Sequence, residues 1–176
     1  MPESIIEKLK EKEIEFRSEH IPIVGREKGE LILSLIQKYK PTNILEFGMA
    51  SGYSGTILAS EGAKLTTFEV STPMVPLATE LFDWFGVDAT ILIGEASENF
   101  DIVRQTNSKF DFIFIDHAIK DYLSAFTFAK EVASSGAVVL FDNINSDKCA
   151  DVKKKLLAEN KCGIFDVGDG MLLIQL

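Results

Sequence analysis

Short apolar runs alternate with longer segments of helical period along most of the chain. The runs are rich in β-branched and aromatic residues and comprise NILEF at 43–47, KLTTF at 64–68, ATILI at 89–93, FDFIFI at 110–115 and AVVLF at 137–141. Between them, segments such as LILSLIQKY and PLATELFDWF repeat apolar positions every three or four residues, which predicts helices. This alternation predicts βαβ units, and the nearly continuous apolar character of the strands predicts a parallel sheet covered by helices on both faces.

The two ends of the chain depart from this alternation. The segment CGIFDVGDGMLLIQL contains two strand-like runs around a Gly-Asp-Gly turn, which predicts a terminal hairpin that adds an antiparallel strand. At the other end, MPESIIEKLKEKEIEF predicts one amphipathic helix with Ile5, Ile6, Leu9 and Ile14 facing inward. We therefore predict a three-layer α/β fold with a mostly parallel sheet of seven strands. A single domain is expected over 1–176, with a short helical cap at 1–40 and the sheet-containing core at 41–176.

Composition and charge narrow the classes of function. The chain has 176 residues, of which 46% are hydrophobic and 26% are charged, as is typical of one globular domain. Its net charge of −9 argues against broad binding to nucleic acid or anionic membranes, which requires an excess of Lys and Arg. Cys149 and Cys162 lack metal-binding spacing and are expected to be reduced thiols. Without a signal-like segment or a run of about 20 apolar residues, we expect a cytoplasmic protein.

Acidic residues stand at or just after the ends of all five internal strands. In an open parallel sheet these carboxyl ends form one edge, and ligands bind at that edge. Each acid alone could be a helix N-cap. Five together would repel one another, which favours an edge that binds a cationic ligand, a metal ion or a ligand rich in hydroxyl groups. The acids are Glu46, Glu69, Glu95, Asp116 and Asp142.

The first strand-to-helix turn, EFGMASGYSG, restricts the ligand further. Gly48 and Gly52 allow the backbone to approach a ligand and the next helix to begin tightly. The spacing is E-x-G-x-x-x-G, which differs from the G-x-G-x-x-G of dinucleotide-binding folds, and Glu46 would repel a pyrophosphate. Glu69, at the end of the second strand, is placed to accept hydrogen bonds from two ribose hydroxyls. The pattern therefore predicts a nucleoside whose tail is positively charged.

These residues resemble a known family. The segments EFGMASGYS, GAKLTTFEV, FDFIFIDH and LFDN, within about residues 20 to 145, are similar to class I S-adenosylmethionine-dependent O-methyltransferases of the catechol and caffeoyl-CoA group. The resemblance implies a Rossmann-like methyltransferase fold. It also implies transfer of a methyl group from S-adenosylmethionine to a hydroxyl of a small acceptor, such as a vicinal-diol aromatic compound.

The same resemblance assigns the cofactor contacts. The methionine end would lie against Val24, Gly48, Ser54 and Asp116. Glu69 would bind the ribose, and Ala96 and Ser97 would border the adenine. The complete predicted set is Val24, Glu46, Gly48, Gly52, Ser54, Glu69, Val70, Ala96, Ser97, Asp116 and His117.

A metal site is implied as well. Asp116, Asp142 and Asn143 match the family's three ligands for a divalent cation, and their hard oxygen donors suit Mg²⁺ or a similar ion better than zinc. An ordinary turn at Asp142-Asn143 is the alternative. The bound ion would lower the pKa of an acceptor hydroxyl and orient it toward the sulfonium methyl group.

Several positions depart from the family pattern. The family's lysine base corresponds to Ile119, so that either Lys120 serves in its place beside Asp116 or the chain has no lysine base. The positions that match the aromatic walls of a catechol pocket hold His20, Pro22 and Ala118. The late acid that binds the second catechol hydroxyl has no counterpart in the sequence.

Two other classes of function remain open at this point. One is an S-adenosylmethionine-binding protein with weak or lost catalysis, which the residue Ile119 favours. The other is a metal-independent methyltransferase that acts on nitrogen or on an RNA base, which the acidic charge disfavours. The expected partners are a small-molecule acceptor and a second copy of the chain in a possible homodimer, without nucleic acid or membrane.

Overall fold

A computed structural model describes residues 3–176, and its centre is one sheet of seven strands. The strand order is β3-β2-β1-β4-β5-β7-β6, with β7 antiparallel to both β5 and β6 and all the other pairs parallel. This arrangement confirms the predicted α/β fold and its C-terminal hairpin. The strands are β1 (Asn43–Phe47), β2 (Lys64–Glu69), β3 (Ala89–Ile93), β4 (Phe110–Ile115), β5 (Ala133–Phe141), β6 (Cys162–Phe165) and β7 (Met171–Gln175).

Eight α-helices occur within residues 3–176, and none is long and apolar enough to cross a membrane. Short 3-10 turns lie at Ile119–Asp121 and Asp147–Cys149. The helices are α1 (Ile5–Lys8), α2 (Lys10–Ser18), α3 (Gly25–Tyr39), α4 (Tyr53–Leu58), α5 (Met74–Phe85), α6 (Ala96–Gln105), α7 (Tyr122–Val132) and α8 (Ala150–Glu159).

The helices form a layer on each face of the sheet. Helices α1 to α5 pack on one face, where Phe112 and Phe114 of β4 are fully buried. Helices α6 to α8 pack on the other face, against Ile113 and Ile115. Side chains alternate between the two faces of a strand, so a strand covered on both faces must be apolar at every position. This requirement explains the apolar run from Phe112 to Ile115 in β4.

The carboxyl ends of the central strands lie side by side at one edge. The N–H of Asp116 donates to the carbonyl of Phe47 at 2.9 Å, and the N–H of Asp142 donates to the carbonyl of Ile115 at 3.1 Å. Beyond β1, the N–H of Gly48 donates to the carbonyl of Phe68, also at 3.1 Å. The pairing therefore continues past the strands and brings the acidic positions to one place.

The N-terminal cap differs from the prediction of one helix. Two helices, α1 and α2, meet at Leu9, which is fully buried. Phe16 is also buried, whereas Ile14 is 63% exposed, so the prediction that Ile14 faces inward is wrong. Phe16 follows Leu9 by two helical turns and shares its face, while Ile14 is five residues on and points away.

A hydrogen bond from a buried tyrosine joins helix α2 to the core. The hydroxyl of Tyr53, at the start of α4, donates to Glu13 Oε2 of α2 at 3.1 Å. Glu13 Oε1 also binds the guanidinium of Arg17 at 2.9 Å. Tyr53 is only 1% exposed, and burial together with the nearby Glu13 raises the pKa of its hydroxyl. Helix α2 is thus fixed to the helix that follows the glycine turn.

We expect Tyr53→Phe to reduce the free energy of unfolding by about 1–2 kcal/mol, because it removes a buried hydrogen bond to a carboxylate. Urea denaturation measures this loss. The control is Tyr39→Phe, since the Tyr39 hydroxyl has no hydrogen-bond partner within residues 3–176 and its removal should change stability by less than about 0.5 kcal/mol. Equal stability of the two variants would contradict a structural role for the Tyr53–Glu13 bond.

Candidate active site

A cavity of about 820 Å³ lies at the carboxyl edge of the sheet. This volume is within the usual range for pockets that bind small molecules. Eleven of the residues predicted from the sequence line it. They are Val24, Gly48, Ser54, Glu69, Val70, Ala96, Asp116, His117, Lys120, Asp142 and Asn143. The fold therefore brings eleven of the fourteen predicted site residues to one cavity.

Glu69 ends β2 and is held firmly at the cavity wall. Its Oε2 accepts a hydrogen bond from the N–H of Ala50 at 2.7 Å, and its Oε1 accepts one from the N–H of Ser71 at 2.6 Å. The residue is 8% exposed. A carboxylate oxygen can accept more than one hydrogen bond, so each oxygen retains acceptor capacity toward the cavity. This geometry suits the two neighbouring hydroxyls of a ribose.

Glu46 lies behind the cavity wall and does not line the cavity. It is fully buried, and its two oxygens accept hydrogen bonds from Ser54 Oγ at 2.6 Å and Thr67 Oγ1 at 2.7 Å. Burial raises the pKa of Glu46 to about 7. The predicted direct contact with the cofactor is therefore not supported, because neither oxygen reaches the cavity. Glu46 instead orients Ser54, which does line it.

The two glycines of the turn have different roles. Gly48 has a φ of 97°, and a Cβ there would overlap the backbone carbonyl of Asp116. Only glycine fits this approach, which brings the ends of β1 and β4 together beside the cavity. Gly52 was predicted to contact the cofactor, but it does not line the cavity. A Cβ built on Gly52 would lie 3.0 Å from the Cα of Ala78 in α5. It allows α4 to pack closely against α5.

Ser97, the third predicted cofactor residue that does not line the cavity, is exposed in the first turn of α6. Its neighbours Glu95 and Ala96 do line the cavity. The helix points Ala96 inward and Ser97 outward, since consecutive residues of a helix face different directions.

Two buried polar atoms in the cavity wall lack a hydrogen-bond partner within residues 3–176. They are Ser51 Oγ and His117 Nδ1. The ring of His117 packs between Phe47 and Tyr122, with ring centroids 5.3 Å and 5.6 Å away. Burial lowers the pKa of His117 to about 4, so the ring is neutral near pH 7. Buried polar atoms are normally satisfied, so these two atoms are exceptions, and both belong to residues that line the cavity.

Four side chains form a connected polar cluster on the cavity floor, and one of them was absent from the sequence predictions. Lys28 Nζ lies 2.6 Å from Asp142 Oδ1 and 3.0 Å from Asn143 Oδ1. The amide nitrogen of Asn143 donates to Asp116 Oδ1 at 3.1 Å. The structure therefore brings Asp116, Asp142 and Asn143 together, as the resemblance implied. The Lys28 ammonium group between Asp142 and Asn143 was not predicted. We call Lys28, Asp116, Asp142 and Asn143 the floor cluster.

The helical period of α3 carries the signal that could have identified Lys28. Lys28 stands four residues before Ile32 and eight before Ile36, and all three are buried on the same face of the helix. A lysine within an apolar stripe must reach a buried acid or remain unpaired, and Lys28 reaches Asp142. Its side chain is 10% exposed and that of Asp142 is 2% exposed.

The electrostatics of the floor cluster are dominated by burial. Burial raises the pKa of Asp116, and the charge of Asp142 raises it further, while Lys28 opposes both effects. The pKa of Asp142 is also raised by burial, against the hydrogen bond and charge of Lys28. Asn143 has a positive φ of 54°, a conformation that asparagine tolerates and that places its amide between Asp116 and Lys28.

The rim of the cavity holds the remaining predicted positions. Lys120 lines the mouth, but its side chain is 80% exposed and its Nζ lies 3.9 Å from Asp121 Oδ2. Pro22 and Ala118 line the cavity, as expected for acceptor walls, and exposed His20 does not. Asp169, in the turn between β6 and β7, is a lining residue that the sequence did not predict. It supplies a late acid where the sequence suggested none.

A family model for O-methyltransferases matches residues 2–175, nearly the whole chain. The chain belongs to the O-methyltransferase family. This membership confirms the predicted enzyme class, an S-adenosylmethionine-dependent methyltransferase. It also agrees with a cavity whose walls carry the Glu69 carboxylate and the Gly48 turn.

Among curated relatives of this O-methyltransferase, catechol O-methyltransferase of Sus scrofa is 28% identical over 155 residues, which are 81% of this chain and 80% of that protein. Catechol O-methyltransferase of Mus musculus is 30% identical over 133 residues, which are 69% of this chain and 49% of that protein. The chain thus spans about four fifths of one relative and half of the other.

Solved structures give the same result for the fold. A candidate caffeoyl-CoA O-methyltransferase from Staphylococcus aureus has a TM-score of 0.85 and 27% identity, and the match covers 98% of this chain and 92% of that one. The O-methyltransferase TomG from Streptomyces achromogenes, solved in complex with SAM, has a TM-score of 0.83 and 22% identity, with 99% and 91% covered.

We expect the stability of this O-methyltransferase to decrease between about pH 4.5 and 7 because of Glu46. Its pKa rises from 4.5 to about 7 on folding, so its stabilising contribution is complete below pH 4.5 and is lost as the pH rises through 7. The loss should reach about 3 kcal/mol. Urea denaturation of the wild type and Glu46→Gln at pH 4.5 and 7.5 measures it. Equal changes in stability for both proteins would contradict the assignment.

Proposed function

We propose that the protein transfers the methyl group of S-adenosylmethionine to a hydroxyl oxygen of a small acceptor, with a vicinal-diol aromatic compound as the first candidate. The observation that carries the proposal is the shared cavity, where Glu69 stands on one side of the Gly48 turn and Asp116 on the other. Carboxylates at these two places complement the ribose hydroxyls and the positive charges of the methionine end.

The remaining cofactor assignments follow the cavity wall. Val24, Gly48 and Ser54 would border the methionine end, and Val70 and Ala96 would border the nucleoside. Val70 is 59% exposed, and an apolar side chain in that position offers a surface to a flat base. Ser51 Oγ and His117 Nδ1 are candidates for additional hydrogen bonds to the bound molecule.

The chemistry is a direct displacement at the methyl carbon. The acceptor oxygen forms a bond to that carbon while the bond from carbon to sulfur breaks, and the electron pair stays on sulfur, which becomes a neutral thioether. Such a reaction depends mainly on alignment, so the protein must hold the acceptor oxygen in line with the sulfonium. Asp116 is placed to accept the hydroxyl proton, because it lines the cavity between the two ligands. Lys120, at the mouth, is the second catalytic candidate.

The acceptor would occupy the part of the cavity between Pro22, Ala118 and Asp169. Pro22 and Ala118, which stand where the family has aromatic walls, line the cavity, whereas exposed His20 does not. Asp169 offers a carboxylate for a second hydroxyl, which supports a diol. The acceptor side would therefore combine small apolar side chains with one carboxylate.

The Mg²⁺ implied by the family resemblance does not fit the floor cluster as it is arranged. Asp116, Asp142 and Asn143 are suitable oxygen donors in kind, but the Lys28 ammonium already engages Asp142 Oδ1 and Asn143 Oδ1. The proposed steps therefore use side chains of the protein alone.

The test of function is methyl transfer from S-adenosylmethionine to a panel of vicinal diols and matched single-hydroxyl compounds, with product and S-adenosylhomocysteine quantified by mass spectrometry. We expect one methylated diol to form for each S-adenosylhomocysteine produced. Cofactor binding without transfer to any hydroxyl would instead indicate a binding protein that lacks catalysis, and methylated nitrogen would indicate another acceptor class.

We expect Glu69→Ala to weaken S-adenosylhomocysteine binding at least about tenfold, because each ribose hydrogen bond to a carboxylate contributes about 1.5–3 kcal/mol. Isothermal titration calorimetry measures the affinity. Exposed Glu80→Ala, in α5, is the matched control and should bind like the wild type. Glu69→Gln, which preserves size and removes the charge, should also lose affinity. Unchanged binding by both Glu69 variants would rule out the ribose assignment.

A further inference from the structure

We propose that the ammonium group of Lys28 is the resident cation of the floor cluster, and that it replaces the divalent ion which the family resemblance implied. The inference rests on the proposed function and adds that hydroxyl methylation by this protein needs no metal. Its basis is that Lys28 Nζ lies 2.6 Å from Asp142 Oδ1 and 3.0 Å from Asn143 Oδ1, two of the three expected ligand oxygens.

The orientation of the Asn143 amide supports this assignment. Its oxygen faces Lys28, and its nitrogen donates to Asp116 Oδ1 at 3.1 Å. To place all three ligand oxygens on one metal ion, the amide would have to turn its oxygen toward Asp116. Its N–H groups would then face the ammonium of Lys28, so that two donors would oppose each other. The cation on one side and the carboxylate on the other therefore fix the amide against metal ligation.

Lys28 is also largely enclosed. Its side chain is 10% exposed. The turn between β6 and β7 lies against its stem, because a Cβ on Gly168 would be 2.9 Å from Lys28 Cε. The packing of this turn therefore helps to hold the ammonium group beside Asp142 and Asn143.

Charge excludes a second cation while Lys28 stays in place. A magnesium ion binds oxygen at about 2.0–2.1 Å, which would put it close to the ammonium that shares the same oxygens. Two positive centres at that separation in a buried site repel strongly. The cluster can hold the ammonium or the divalent ion, and the helical position of Lys28 supplies the ammonium.

The same group can assist the reaction. An ammonium has three N–H donors, and Asp142 and Asn143 accept two hydrogen bonds from Lys28. The third donor is available to an acceptor oxygen in the cavity that Lys28 lines. Negative charge that develops on this oxygen would be stabilised by a donor held in place beforehand, which is a common source of catalysis.

The decisive experiment measures Mn²⁺ binding to the protein without cofactor by electron paramagnetic resonance. We expect the Lys28→Met variant to bind Mn²⁺ at least about tenfold more tightly than the wild type, since the competing charge is gone. Adding Asp142→Asn to that variant should remove the gain, which separates the cluster from other acidic groups. Exposed Lys64→Met is the control and should bind like the wild type. Wild-type binding as tight as that of Lys28→Met would overturn the proposal.

Thermal unfolding of the wild type with and without Mn²⁺ tests the proposal even if the Lys28 variants do not fold. Mn²⁺ at millimolar concentration should leave the wild-type Tm unchanged, as it should for Lys28→Arg, which retains the charge. A Tm that rises with Mn²⁺ in the wild type would overturn the proposal, because a ligand that binds the folded state raises its stability.

Activity separates this inference from the proposed function. Methyl transfer by the wild type should be the same after treatment with EDTA, and a loss restored by Mg²⁺ would overturn the role of Lys28. Absence of transfer to every acceptor under all conditions would overturn the proposed function instead, while the Mn²⁺ comparison would still decide which cation the cluster holds.

Discussion

Carboxylates that lose water at the carboxyl edge of the sheet must each be matched by donors, and this constraint organises the whole site. Glu46 is matched by two hydroxyl groups, Glu69 by two backbone N–H groups and Asp142 by an ammonium group. Each solution uses a different kind of donor, and each has a different consequence. Burial leaves Glu46 with a raised pKa despite its two hydroxyl donors, whereas backbone donors hold the Glu69 carboxylate in the wall of the cavity.

The fold could be predicted because its signals are local and mutually consistent. Apolar runs with little interruption required a sheet covered on both faces, and the Gly-Asp-Gly turn required a hairpin. The start of β5 was predicted at Ala137, but the strand begins at Ala133. The register of its pairing with β4 shifts between Phe110 and Phe112. Pairing with a neighbouring strand, which local composition does not encode, extends it through polar residues.

The acidic part of the site was predicted from strand ends, and the rest came from the family resemblance. Asp116 and Asp142 were identified because their strands end at one edge, and Asn143 was identified because it matches a family position. Lys28 was missed because a charged residue in an amphipathic helix is normally solvated, and its burial follows from the position of α3 over the sheet. Asp169 was missed because the path of a short turn depends on what it packs against, here the stem of Lys28 beside Gly168.

The contact between Lys28 and Asn143 joins residues 115 positions apart. Such a contact requires α3 and the ends of β4 and β5 to be in place, so the floor cluster depends on the complete tertiary fold and not on any local segment. The charged floor of the cavity therefore ties the helical cap to the end of β5 across most of the chain.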